Sequence, residues 1–222
     1  MGTSERLRRQ SSRLWEAIHA HPFVRGLGAG SLPSDRFTFY LRQDYLFLIA
    51  YSRVLALAAA KAPDLESMAK FGELMHATAT REIALHRRYC AGFGISGTAL
   101  ERTRIAPGTV AYTHYLLAIG YNGTFNELCS ALLPCQWGYA EIGERLAKAG
   151  GTKQSNPYAE WVRMYASKEF QALAAWLRGY LDTRTKRASM ETKAQLHRAF
   201  ETSSRFEYQF WEMAWTKQGW PA

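Results

Sequence analysis

Apolar residues recur three and four apart along the whole of this chain, and no run alternates apolar with polar residues as a half-buried strand would. That periodicity predicts an all-α fold, with helices joined by short connections into one compact bundle. Helices are expected over about 4–19, with Ser4 as a possible N-cap, and then over 34–61. A third should start at Pro63, where a first-turn proline is tolerated, and run to about 92. Later helices fall at about 108–122, 124–149, 156–165, 168–181 and 190–217. Pro22, Gly26, Gly28, Gly30 and the stretch 31–35 read as one loop, and the stretch 94–97 with Pro107 and Gly108 reads as another. Gly150 and Gly151 end the helix that Pro134 should bend.

The 222 residues suffice to bury a full core, and a single domain over 1–222 is the expectation. Cys90, Cys129 and Cys135 are odd in number and lack the spacing of a disulfide framework or a zinc site, which fits a reducing, cytoplasmic setting. The longest apolar run, 45–60, is broken by Ser52 and Arg53, so no membrane association is expected. Arginines and serines near the start have the flavour of a transit peptide, but Glu5 and Glu16 and the unbroken run into Ala17 and Ile18 read as a first helix. The formal charge of +9 raises nucleic acid as a partner. The basic residues lie in scattered groups (Arg8 with Arg9, Arg87 with Arg88, Arg102 with Arg104, Arg184 with Lys186 and Arg187) and no nucleic-acid motif is present, so a solvated basic surface is preferred.

Three segments carry candidate chemistry. In Leu132-Leu133-Pro134-Cys135-Gln136-Trp137-Gly138-Tyr139, a thiol follows a helix-interrupting proline, and Tyr139 at i+4 shares its face. A lone cysteine in an apolar helix is as readily a packing residue. Asp44 lies inside one of the most apolar segments, and Phe47 and Tyr51 share its face. A carboxylate there either reaches water, bonds a neighbouring helix, or binds a flat heterocycle bearing an amino group. Glu207 is flanked by Phe206, Tyr208, Phe210 and Trp211, surroundings that favour the protonated form and suit a general acid; a capping or surface role is the alternative. Tyr112 and Tyr165 offer further hydroxyls or packing. Di-iron bundles need a Glu-x-x-His on each of two helices; Glu73 with His76 matches once, while Glu82 with His86 is spaced one too far.

In order along the chain stand His21-Pro22-Phe23, the segment 41–51 around Asp44, Glu82-x-x-x-His86 leading into Gly94-Ile95-Ser96, and Tyr112. Pro134-Cys135-x-x-x-Tyr139, Asn156-Pro157-Tyr158-x-x-Trp161-x-x-x-Tyr165 and Phe206-Glu207-x-x-Phe210-Trp211 follow. Together, from Leu14 to Trp215, they resemble the TenA/thiaminase II family of aminopyrimidine aminohydrolases, in its cysteine-bearing group. The resemblance implies a haem-oxygenase-like helical fold without haem, no cofactor and no metal, and a homotetramer acting on a small aminopyrimidine or thiamin. It implies hydrolysis of 4-amino-5-aminomethyl-2-methylpyrimidine to the 5-hydroxymethyl pyrimidine with release of ammonia, and cleavage of thiamin, in thiamin salvage. By the same resemblance Cys135 is the nucleophile, Glu207 the ring-protonating acid and Asp44 the group that binds the 4-amino side. Tyr112, Tyr139 and Tyr165 bond the ring or leaving group, Phe47 and Phe210 form its walls, and His76 and His86 are structural.

The chemistry of the residues agrees with those roles. Thiolate addition to an electron-poor ring needs a deprotonated sulfur, and protonating the ring makes it a better electrophile. Two other function classes stand beside this one. They are a di-iron oxygenase on a related bundle and a non-enzymatic transcriptional regulator, the latter suggested by the positive charge.

Overall fold

The computed structural model describes residues 1–221, and every regular element among them is helical. The helices are α1 (Thr3–Gln10), α2 (Ser12–Ala20), α3 (Pro22–Ala29), α4 (Ser34–Lys61), α5 (Leu65–Ala77), α6 (Ile83–Gly92), α7 (Gly97–Glu101), α8 (Pro107–Asn122), α9 (Phe125–Lys148), α10 (Ala159–Tyr165), α11 (Lys168–Arg184) and α12 (Met190–Thr216). They group into two compact units, one of residues 34–125 and 216–221, the other of residues 1–33 and 126–215.

The first of these units is organised around α4. Phe37, Tyr40, Leu41, Tyr45, Leu48, Tyr51, Val54, Leu55 and Ala58 are all buried, so the helix is covered on more than one face, and α5, α6 and α8 pack on it. The expected single helix over 63–92 is interrupted by a π-turn at Thr78–Glu82, between α5 and α6. Its consequence is visible in burial. Ser67, Phe71, Leu74 and Thr78 follow the α-helical period, and the next buried residues are Leu85, His86 and Cys90: an unbroken period would bring Leu85 and Tyr89, and here His86 joins the buried face and Cys90 takes the place of Tyr89. The wider turn advances the buried face by about one residue, a device often found at functional sites. Buried Gln43 fastens the approach to α8: its amide donates to the Arg104 carbonyl (3.1 Å), and its carbonyl accepts from the Ala106 N–H and the Thr109 hydroxyl (each 2.9 Å).

In the other unit, the expected first helix breaks at Ser11 into α1 and α2. Ser4 is not the cap; α1 begins at Thr3, and the Asp182 carboxylate from α11 accepts from both the Ser4 N–H (2.6 Å) and the Ser4 hydroxyl (3.0 Å). The segment expected as a loop from Pro22 is helical to Ala29. His21 caps it by accepting the Phe23 N–H, Pro22 occupies the first turn, and Gly30 closes it at φ 72°. Proline at the start and glycine just past the end are the punctuation of a short helix as well as of a loop. Asn156 locks this corner: its amide donates to the carbonyls of Leu27 (2.9 Å) and Gly151 (2.7 Å), and its carbonyl accepts from the Tyr158 N–H (2.9 Å). The Asn156-Pro157-Tyr158 signature is therefore at work in joining α3 to the end of α9.

α9 keeps Pro134 within one continuous helix and is buried on all sides from Leu128 to Pro134. It runs alongside α12. The Ser203 hydroxyl donates to the Ala131 carbonyl (2.6 Å), and two turns further along both helices the Tyr139 ring packs 5.2 Å from that of Trp211.

Candidate active site

In the α4-centred unit, Asp44 and His86 form a buried pair, with side chains 3% and 0% exposed and Oδ2 and Nε2 2.5 Å apart. The Tyr40 hydroxyl donates to the same Oδ2 (2.9 Å), and the His86 Nδ1 lies 2.8 Å from the Glu82 carbonyl. Both ring nitrogens thus face acceptors, which is the arrangement of an imidazolium. Burial alone pulls His86 down, but the charge and hydrogen bond of Asp44, with the Glu82 carbonyl and carboxylate, outweigh it and raise its pKa above the ordinary value. Asp44 Oδ1 accepts no hydrogen bond from the described residues, so one carboxylate oxygen remains for a ligand. Phe47, one turn on, stacks with Tyr51 (5.6 Å) and lies 5.0 Å from the buried Tyr112 ring of α8.

In the other unit, the register of α9 and α12 brings Cys135 and Glu207 to the same level, midway between the Ser203–Ala131 bond and the Tyr139–Trp211 contact. Cys135 is partly exposed, whereas Cys90 and Cys129 are buried and burial pushes both of their thiols up. Glu207 is 4% exposed and lines a narrow crevice with Pro134, Tyr139, Trp211 and His19. Tyr139 packs against Tyr165 (4.9 Å), and Phe210 is buried beside Trp211 in sequence. Burial drives the His19 pKa down to about 4, against the pull of Glu141 and with the push of Arg145 and Arg8.

Every carboxylate, aromatic and tyrosine singled out from the sequence is thus placed: Asp44, Phe47 and Tyr112 lie together, and Cys135, Tyr139, Tyr165, Glu207 and Phe210 lie on α9, α10 and α12. His86 does more than pack, because it is the direct partner of Asp44. The signal for it was the cost of a buried carboxylate, which demands a cation or donor. Glu73, the acid of the one Glu-x-x-His match, pairs with Lys70 (2.6 Å). Among the described residues, no group of three or more His, Cys, Asp and Glu is placed to hold a metal ion.

A family model described as TENA/THI-4/PQQC matches residues 8–217. The chain belongs to the TENA/THI-4/PQQC family. A curated member from Halalkalibacterium halodurans, named aminopyrimidine aminohydrolase, is 43% identical over 99% of this chain and 98% of its own length. The solved TenA homologue from P. horikoshii OT3 is 34% identical and superposes with a TM-score of 0.89 over 97% of this chain and 99% of that one. A domain of unknown function from Shewanella denitrificans OS217, with a haem oxygenase-like fold, covers 96% of this chain and 92% of its own at a TM-score of 0.75, and its 15% identity speaks to the fold alone. The TENA/THI-4/PQQC chain described here therefore has the haem oxygenase-like, all-helical fold. None of its helices, among the described residues, is long and apolar enough to cross a membrane.

Proposed function

We propose that this protein is an aminopyrimidine aminohydrolase of thiamin salvage. It converts 4-amino-5-aminomethyl-2-methylpyrimidine and water to the 5-hydroxymethyl pyrimidine and ammonia, and it also cleaves thiamin. The observation that carries the reading is the 43% identity, along essentially the full length of both chains, to a relative of that name. The partly exposed thiol level with a buried acid on paired helices supports it, as does the carboxylate with one oxygen to spare.

In this reading the Cys135 thiolate adds to an electron-poor carbon of the pyrimidine ring while Glu207 gives a proton to a ring nitrogen. The electrons gained by the ring expel the exocyclic amine, which enters in its ammonium form and leaves as ammonia. Water then adds to the exocyclic carbon and gives up a proton to solvent, the ring-nitrogen proton returns to Glu207, and the ring regains aromaticity as the sulfur departs. Asp44 accepts from the 4-amino group, Phe47 and Phe210 serve as walls, and Tyr112, Tyr139 and Tyr165 supply hydroxyls to ring, leaving group or thiol.

Ammonia release from the aminomethyl pyrimidine by the purified protein tests the reading, with thiamin as the second substrate. Turnover that falls by about 100-fold or more in Cys135→Ser, at unchanged thermal stability, is the expected result for a lost nucleophile. No release by the unmodified protein, or Cys135→Ser equal to it, removes the proposal. The reading also carries a cytoplasmic homotetramer, which light scattering on the purified protein checks for its assembly.

A further inference from the structure

The Asp44–His86 pair has a consequence for which pyrimidines this protein accepts. His86 points both ring nitrogens at acceptors, the Glu82 carbonyl at 2.8 Å and Asp44 Oδ2 at 2.5 Å. Tyr40 adds a second donor to that same Oδ2 at 2.9 Å. With the proton supply concentrated on Oδ2, Oδ1 is left as an acceptor only, since an ionised carboxylate has no hydrogen to give. The π-turn at Thr78–Glu82 is what carries His86 to the buried face, so the pairing depends on a backbone feature rarely used without a role.

We propose that His86 is a positioning residue that sets substrate specificity, holding Asp44 as a pure acceptor so that the protein takes 4-aminopyrimidines and rejects their 4-oxo counterparts. The inference rests on the proposed aminopyrimidine chemistry and deepens it. An exocyclic amino group presents an N–H to Oδ1. A 4-oxo group presents an oxygen to an oxygen, leaving two unpaired acceptors in contact, the kind of mismatch that gives the strongest discrimination a polar site can offer. Without the imidazole, Oδ2 keeps only the Tyr40 hydroxyl and the carboxylate is no longer held in one orientation. The carboxylate can then turn its oxygen away from a 4-oxo group and leave room for a water that donates to both, and the barrier to the wrong ligand falls.

The test is equilibrium binding of 4-amino-5-hydroxymethyl-2-methylpyrimidine and of its 4-oxo counterpart to the unmodified protein, His86→Leu and His86→Gln. The unmodified protein should favour the amino ligand by about 100-fold or more. His86→Leu should bring the ratio within about 10-fold, in part through tighter binding of the oxo ligand, a gain that damage to the fold does not produce. His86→Gln, which keeps a neutral donor to Oδ2, should fall between, and it carries the test if the leucine variant does not fold. Variants that keep the original ratio, or weaken both ligands equally, overturn the role of His86 alone. Unmodified protein that binds neither pyrimidine overturns the functional reading and this inference with it.

Discussion

The Ser203 hydroxyl donates to the Ala131 carbonyl, and one helical turn beyond each of these residues stand Glu207 and Cys135. Together with the Ser130 hydroxyl, which donates to the Leu196 carbonyl (2.8 Å), this buried hydrogen bond fixes the register of the helix bearing the acid against the helix bearing the thiol. Pro134 removes one N–H from this stretch of α9, so the helix here has one internal bond fewer to hold its shape.

Ser203→Ala should therefore cost about 1–3 kcal/mol of stability, the usual toll for losing a buried hydrogen bond. Turnover should fall more than the stability loss explains at a temperature where the variant is folded, because the pin one turn from the thiol and the acid is lost. Urea unfolding together with steady-state kinetics checks both; unchanged kinetics would show that the pin is structural only.

Exposure separates the three cysteines. Iodoacetamide at neutral pH should label Cys135 first, with Cys90 and Cys129 protected by burial and by thiols whose ionisation burial disfavours. Mass spectrometry of a time course reads the order directly, and early modification of Cys129 would contradict it.

Gly143 permits a close approach. A Cβ there would stand 2.5 Å from the backbone carbon of Tyr165 and 2.7 Å from the Ala166 nitrogen. Backbone cannot yield as a flexible side chain does, so Gly143→Ala should cost about 1–3 kcal/mol and displace the end of α10 that carries Tyr165. A lowered melting temperature accompanied by weaker substrate binding is the expected pair of results.

His19 ties stability to acid. Its folded pKa of about 4 lies below the ordinary 6.5, so between those values the unfolded chain binds the extra proton and the folded one does not. Stability from this group is complete above about pH 6.5 and is lost as pH falls toward 4. Replacing His19 with asparagine should flatten the melting temperature across that window; a profile as steep as the original would place the acid sensitivity elsewhere.

The helical class and most helix positions were legible because apolar residues recur three and four apart along the chain. α4 was expected at the bounds the structure gives it. α3 was missed because Pro22 and Gly30 are boundary signals that a short helix and a loop share. The π-turn was missed for a different reason. It changes hydrogen bonding without interrupting the helical run, and only the shift of the buried residues to His86 and Cys90 betrays it. Asp44, Glu207 and Cys135 stood out as chemically costly or reactive groups in apolar surroundings. Gln43, Ser203 and Gly143 did not, since a polar or small residue becomes informative only when its neighbour from a distant helix is known.

The wide turn between α5 and α6 makes chain length itself a determinant of chemistry. Deleting one residue between positions 78 and 82 would let the run close into an ordinary α-helix with the imidazole still toward its carboxylate, whereas closing the turn at the present length would rotate the imidazole away. A homologue one residue shorter there would keep the pair, and one of equal length with an unbroken helix would lose it while showing the same inventory of residues.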